Sequence, residues 1–134
     1  MKQFIICFFL LLIKFNIFSQ TIIGKSPIIT FVKEIHDFGN VEYGGNTIYA
    51  FEFTNIGNDT LFILNATSSC GCTIPEWTKG PIAPNTNGFI LVKYNSFIVG
   101  PINKSVIVFS NSIVDKEKVL RIKGEVLYDL TEKP

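Results

Sequence analysis

The sequence is poor in residue types on which hydrolytic enzymes and nucleic-acid-binding proteins rely. Among its 134 residues it has one histidine, three cysteines and one tryptophan, and 17% of the residues are charged. The net charge of +1 is not gathered into a basic stripe, so neither nucleic-acid phosphates nor anionic lipid headgroups meet a matching surface. We therefore expect no nucleic-acid partner.

Motifs of hydrolytic catalysis are missing as well. The pattern Gly-x-Ser-x-Gly does not occur, and the single histidine, His36, stands beside a turn without a recognisable serine partner. Glu76 and Asp37 are isolated acids, which gives no support for the carboxylate pair of a glycosidase. The sequence predicts a protein that is not a hydrolase and that holds no cofactor.

Helical periodicity is absent from residue 26 onward, where short β-type runs alternate with turn residues. Residues 36–40 are predicted to form a turn, and residues 74–87, which contain three prolines, an irregular excursion. Seven strands remain, and they are predicted at 28–34, 41–43, 47–55, 61–66, 89–94, 105–110 and 118–127. Such strands, at spacings near ten residues, predict an all-β, seven-stranded antiparallel sandwich of the immunoglobulin type.

The N-terminal segment has the layout of a signal peptide, with Lys2 followed by an apolar run and a more polar end. Lys14 interrupts that run, which is shorter than the roughly 20 residues of a membrane span, so a retained anchor is the less favoured alternative. Cys7 follows bulky residues and is not expected to carry a lipid. We predict a signal peptide at 1–19, an extension at 20–27, an immunoglobulin-like domain at 28–128 and a tail at 129–134. The mature protein is then exported to the periplasm, cell surface or medium, without a membrane anchor.

Cys70 and Cys72 flank Gly71 and are the two cysteines of the predicted mature chain. In an oxidising compartment they can close a short disulfide ring, and Gly71 is expected to permit the bend. Two other hypotheses stay open: thiol–disulfide exchange, and a copper site with Cys70, Cys72 and His36 as ligands. Zinc is less favoured because a closed zinc site needs about four ligands. A redox enzyme usually places its thiolate at a helix N-terminus, and no helix is predicted.

Two further candidate sites lie outside the cysteine pair. Trp77, next to Glu76, could offer an exposed stacking surface for a peptide or sugar; the alternative is that Trp77 covers one end of the core. Thr60 lies in Asp59-Thr60-Leu61, which is similar to an O-glycosylation pattern of Bacteroidetes.

Several segments together resemble a known family. They are, in chain order, His36-Asp37-Phe38-Gly39-Asn40-Val41, Phe51-Glu52-Phe53-Thr54-Asn55-Ile56-Gly57, Ser69-Cys70-Gly71-Cys72-Thr73, and Pro81-Ile82-Ala83-Pro84 with Gly88. Their order and spacing resemble the domain-of-unknown-function 1573 family (DUF1573) over about residues 35–126. The resemblance implies an exported bacterial domain, common in Bacteroidetes, with a sandwich similar to PapD-like and ASH-type domains. It implies no reaction.

Two functional classes follow from the sequence. The preferred hypothesis is a non-enzymatic module of the cell envelope that binds another envelope protein by offering an exposed sheet edge for strand addition. The alternative is a thiol redox or copper-handling protein that uses Cys70 and Cys72. The sequence predicts no oligomeric state.

Overall fold

Two sheets of four strands each form the domain in the computed structural model, which describes residues 24–128. The strands are β1 (Ile29–Phe31), β2 (Ile35–Val41), β3 (Ile48–Asn55), β4 (Ile63–Ser68), β5 (Thr73–Trp77), β6 (Asn87–Tyr94), β7 (Gly100–Ser110) and β8 (Glu117–Val126). The strand orders are β1-β3-β6-β5 in one sheet and β2-β8-β7-β4 in the other. The predicted signal peptide 1–19, residues 20–23 of the extension and the tail 129–134 lie outside the described residues.

The alternation of apolar residues places the core between the two sheets, as predicted. In β3, Phe51 and Phe53 face inward and are completely buried, while Tyr49 lies half-buried at the margin of the core. Alternate residues of β6 and β8 are buried as well: Ile90, Val92, Tyr94, Leu120, Ile122 and Val126. Removing each such large apolar side chain from water contributes about 1.5–3 kcal/mol to the free energy of folding. Burial of these side chains between the two sheets is therefore what holds the sandwich together.

The sandwich has eight strands because β5 forms inside the segment predicted to be irregular. Pro75 is tolerated there because β5 is an edge strand that pairs only with β6. Asn95 N–H donates to Cys72 O at 2.8 Å and Thr78 N–H donates to Phe89 O at 3.1 Å. Backbone N–H and C=O groups of residues an even number of positions from Cys72 therefore point toward β6. The backbone of Pro75, which has no N–H, points toward the free side of the strand.

The predicted turn at 36–40 is wrong, because these residues belong to strand β2. β2 pairs in parallel with β8, the one pairing in the described residues that departs from the antiparallel prediction. The turn-like composition has a different cause: a bulge lies between Asp37 and Asn40, where Gly39 adopts a φ of 64°. Asp37 Oδ1 accepts the N–H of Gly39 at 2.8 Å. The chain crosses from one sheet to the other before β2, and this crossing ends the first predicted strand early.

Within residues 24–128, no helix is long and apolar enough to cross a membrane.

Candidate functional site

A disulfide joins Cys70 to Cys72, whose Cα atoms are 5.4 Å apart. It lies in the loop between β4 and β5, where the chain passes from one sheet to the other. Ser68 Oγ donates to the carbonyl oxygen of Thr73 at 2.8 Å and also contacts Cys70 O. Asn95 N–H holds Cys72 O from the neighbouring loop at 2.8 Å. Both cysteines are half-buried, so the disulfide is fixed in place and still partly accessible.

Gly71 does not have the role expected from the sequence. Its φ lies outside the left-handed region, and a Cβ added there would meet no atom within 4 Å. Any L-residue could take this conformation. The bend between the cysteines is therefore supported by the hydrogen bonds of Ser68 and Asn95 rather than by the absence of a side chain.

The three ligands of the copper hypothesis are not brought together. His36 lies on β2 and the cysteines follow β4, and these strands are the opposite edges of one four-stranded sheet. Three strand spacings separate the two edges by about 14 Å. Among residues 24–128, no group of three or more His, Cys, Asp or Glu side chains could hold a metal ion.

His36 packs instead among aromatic side chains. Its ring stacks on Tyr49 with centroids 3.6 Å apart and meets Phe38 edge-on at 4.5 Å. Its Nδ1 is buried, with no hydrogen-bond partner in the described part of the chain. Burial lowers the pKa of His36, the positive charge of Lys33 lowers it further, and Asp37 opposes the shift. The neutral imidazole is therefore the favoured form near pH 7, as suits a packing residue.

Glu76 and Trp77 do not form one surface. They point to opposite faces of β5: Glu76 is exposed, whereas Trp77 is half-buried and packs against the core. The Nζ atom of Lys79 lies 3.1 Å from the centroid of the Trp77 ring, and it occupies the position that a stacking ligand would need.

Thr60, the candidate modification site, is half-buried. Its N–H donates to Asp59 Oδ1 at 2.8 Å, and its carbonyl oxygen accepts from Asn111 Nδ2 at 3.1 Å. These bonds fix the backbone at the turn before Leu61.

An apolar surface at one end of the sandwich was missed from the sequence. Loops β2–β3, β4–β5 and β6–β7 meet at this end, together with the disulfide. We call it the cysteine-end surface and define it by six exposed apolar side chains: Tyr43, Ile48, Ile74, Phe97, Ile98 and Val99. Phe97 is 64% exposed and Ile74 59%, and the Tyr43 and Phe97 rings meet edge-on with centroids 5.3 Å apart. In the sequence, this surface is indicated by an apolar run in a loop, Phe97-Ile98-Val99 between Asn95 and Gly100.

A groove of about 470 Å³ runs along this surface. Its walls include Ile48, Ile74, Cys72 and Phe97, and Lys93 is the one charged residue among the described residues that line it. The loops around it satisfy much of their own backbone: Gly44 N–H donates to Ser96 O at 3.1 Å and Phe97 N–H to Asn95 Oδ1 at 3.0 Å. What the groove offers a ligand is mainly apolar side chains and one ammonium group.

The sheet edges are less open than the strand-addition hypothesis requires. On β5, Pro75 lacks an N–H and Thr73 O already accepts from Ser68 Oγ at 2.8 Å. On β1, which is three residues long, Ile29 N–H donates to Ser112 Oγ at 3.3 Å. Prolines and very short edge strands oppose pairing with a further strand.

The edges of the second sheet are interrupted too. On β4, the side-chain oxygen of Asn65 accepts the N–H of Ala66 at 2.9 Å, and the ladder shifts register between Ile63 and Asn65. On β2 the bulge at Gly39 breaks the edge. These edges are therefore poorly suited to strand addition.

Comparisons with known proteins agree with the fold. A family model described as "Protein of unknown function (DUF1573)" matches residues 29–126. A protein of unknown function from Porphyromonas gingivalis W83 is similar with a TM-score of 0.68 and 15% identity, over 81% of this chain and 50% of that one. The ASH / PapD-like domain 7 of human CEP192 has a TM-score of 0.61 and 11% identity, over 78% of this chain and 88% of that one. The VesB protease of Vibrio cholerae has a TM-score of 0.60 and 13% identity, over 72% of this chain and 31% of that one.

At these identities the likeness concerns the fold alone. The chain spans half of the Porphyromonas protein and less than a third of the VesB protease, so similar domains occur as parts of longer chains. No curated protein matches the sequence.

Proposed function

The chain belongs to the DUF1573 family, and from this premise we propose that it is a non-enzymatic protein-binding module of the bacterial cell envelope. The observation that carries the proposal is the cysteine-end surface, where the exposed rings of Tyr43 and Phe97 are in contact and the exposed side chains of Ile48, Ile74 and Phe97 line one groove. Contiguous apolar patches with aromatic residues are typical of interaction sites, whereas single exposed apolar residues are ordinary. The partner binds to these side chains rather than to a sheet edge.

Two features support a place outside the cytoplasm. Residues 1–19 have the sequence layout of a signal peptide. The Cys70–Cys72 disulfide is the state that an oxidising compartment maintains. An envelope protein is therefore the class of partner that the domain would meet.

Replacing Phe97 with aspartate should strongly reduce capture of the partner. A photo-crosslinking residue at Ile98 is expected to trap a defined protein in intact envelopes, and Phe97→Asp should lower the yield at least tenfold. The reason is that the substitution removes an exposed aromatic side chain from the apolar contact, and truncating a central aromatic alone often costs about 2 kcal/mol or more. A carboxylate in the groove would also compete with the partner for Lys93.

Val114→Asp is the matched control for that experiment. Val114 is also 64% exposed, but it lies in the β7–β8 loop at the opposite end of the sandwich. Its variant should trap the partner at the wild-type level. Equal losses in both variants, or trapping that does not depend on Phe97, would contradict the proposal.

Thiol–disulfide exchange is the second candidate, because the half-buried disulfide borders the groove that Cys72 helps to line. A thiolate of a bound polypeptide would attack one sulfur, forming a mixed disulfide and releasing the other cysteine as a thiolate. A second thiolate of the same polypeptide would then attack the polypeptide sulfur of the mixed disulfide and release the remaining cysteine as a thiolate. The polypeptide becomes oxidised by two electrons, Cys70 and Cys72 become reduced, and an envelope oxidant must restore the disulfide. Copper handling by the reduced pair belongs to the same candidate.

The Cys70→Ser, Cys72→Ser double variant separates the two candidates. If the cysteines act in redox or copper chemistry, the double variant should lose thiol oxidation activity and raise copper sensitivity in cells, while the wild-type pair titrates at about −120 to −270 mV. If the disulfide only supports the loop, the double variant should match the wild type in both assays, and the pair should titrate below about −300 mV.

A further inference from the structure

Lys93 lies between two exposed isoleucines on the outer face of a sheet. In the ladders of β3, β6 and β5, Ile48 is opposite Lys93 and Lys93 is opposite Ile74. Directly opposed residues have Cβ atoms about 4.5–5.5 Å apart. Ile48 is 46% exposed and Ile74 59%, so the ammonium group stands in a strip that is otherwise apolar and open to solvent.

Lys93 forms no salt bridge within the described chain. The salt bridges among residues 24–128 both involve Lys118, which pairs with Glu34 and Asp115. On the same sheet face, Glu76 lies opposite Leu91, one row away from Lys93, and no ion pair joins Glu76 to Lys93. No acidic residue lines the groove in the described chain. The groove is thus complementary to a negative group that has apolar neighbours.

The size of the groove points to a short segment of chain. Its volume of about 470 Å³ falls within the roughly 300–1,000 Å³ of sites that take small ligands. Lys93 lies on the open face of the sheet rather than in a closed pocket, so a bound chain could continue in both directions. This position suits the side chain of an internal acidic residue.

We propose that the groove binds an extended peptide segment in which an aspartate or glutamate is flanked by apolar residues. The carboxylate pairs with Lys93, and the flanking side chains pack on Ile48, Ile74 and Phe97. This inference rests on the proposed function, since it names the class of partner segment that the cysteine-end surface recognises. Lys93 supplies selectivity between segments, and the apolar residues supply most of the affinity.

A displayed library of 12-residue peptides, selected against the mature chain, tests the inference. Peptides that pair an acid with apolar neighbours should be enriched, and Lys93→Glu should weaken their binding at least tenfold. Peptides in which the acid is replaced by lysine should bind Lys93→Glu better than the wild type, because the charge pair is then restored in reverse. Lys93→Gln, which removes the charge but keeps a polar side chain, should lose affinity without gaining this reversal.

Lys25→Glu is the matched control, because Lys25 is exposed at the opposite end of the domain and the substitution changes the net charge by the same amount. It should bind the selected peptides as the wild type does.

Selected peptides that lack acids and bind Lys93→Glu equally well would overturn this inference but leave the proposed function in place. Absence of any peptide that depends on Phe97 would count against both. Binding only to phosphatidylcholine vesicles, lost in Phe97→Asp, would also overturn the inference, since the surface would then dock on lipid.

Discussion

Replacing Asn55 with alanine is expected to lower the free energy of unfolding by about 4 kcal/mol. Asn55 ends β3, and its side chain is completely buried. Its Oδ1 accepts the N–H groups of Ile28 at 3.3 Å and Gly57 at 3.0 Å. Its Nδ2 donates to the carbonyl oxygens of Asp59 at 2.7 Å and Ile82 at 3.0 Å. Alanine would leave these backbone groups, which are buried or part-buried, without this partner, at about 1–3 kcal/mol for each group that finds no other. Ile82 O keeps the N–H of Leu61 at 2.9 Å. Urea denaturation, followed by the fluorescence of Trp77, measures the loss.

Two further substitutions test whether the hydrogen bonds are the cause. Asn55→Asp keeps the acceptor but turns a negative oxygen toward two carbonyl oxygens, so it should destabilise the domain at least as much as alanine. Asn58→Ala is the control, because Asn58 is exposed and its hydrogen bonds are exposed too. Its Oδ1 accepts the N–H of Ser26 at 2.7 Å and the Oγ–H of Ser26 at 3.5 Å, and its Nδ2 donates to Gly24 O at 3.4 Å. Its cost should stay within about 1.5 kcal/mol. Similar losses at both positions would show that burial of Asn55 does not decide the effect.

The place of Asn55 illustrates what the sequence could and could not predict. By its composition, the run Asn55-Ile56-Gly57-Asn58-Asp59 predicts a turn, because Gly and Asn tolerate tight reversals. That prediction uses only neighbouring residues. The burial of Asn55 depends on Ile28 and Ile82, each 27 residues away in the chain. A local pattern contains no information about such contacts.

The strands show the same division between local and distant causes. Where one face of a strand meets the core and the other meets water, apolar and polar residues alternate, and this pattern indicated the strand, as in β3 and β8. β5 was missed because a proline normally argues against a strand, and only the sheet order makes β5 an edge that tolerates Pro75. β2 was read as a turn because Asp37 and Gly39 serve a bulge, which uses the residues that turns use.

The candidate site was predicted in part. The pair Cys70 and Cys72 stood out by chemistry alone, since both residues lie in one short segment. The groove beside them depends on three loops that are distant in sequence, and Lys93 has its place there through the ladders of β3 and β5. The separation of His36 from the cysteines also follows from sheet order, which no spacing along the chain could reveal.

Replacing Gly88 with alanine should destabilise the domain by about 2–3 kcal/mol, because the core has no room for the added methyl group. Gly88 lies in β6 directly opposite Phe53. A Cβ at this position would be 2.5 Å from Phe53 Cζ and 2.9 Å from Cε2. The Phe53 ring is completely buried and meets Phe31 edge-on at 5.5 Å, so it cannot move aside without disturbing the core. Thermal unfolding measured by circular dichroism should show a clear drop in Tm.

A double-mutant cycle with Phe53→Leu identifies the clash as the cause. Leucine lacks the far edge of the ring, so Gly88→Ala should cost about 1 kcal/mol or less in that background, which gives a coupling within the roughly 0.5–3 kcal/mol seen for residues in contact. Gly71→Ala is the control, because a Cβ there meets nothing within 4 Å and its φ is ordinary; stability should stay level or rise by up to about 1 kcal/mol. Additive costs for Phe53→Leu and Gly88→Ala would refute the clash, and a large loss for Gly71→Ala would restore a structural need for glycine between the cysteines.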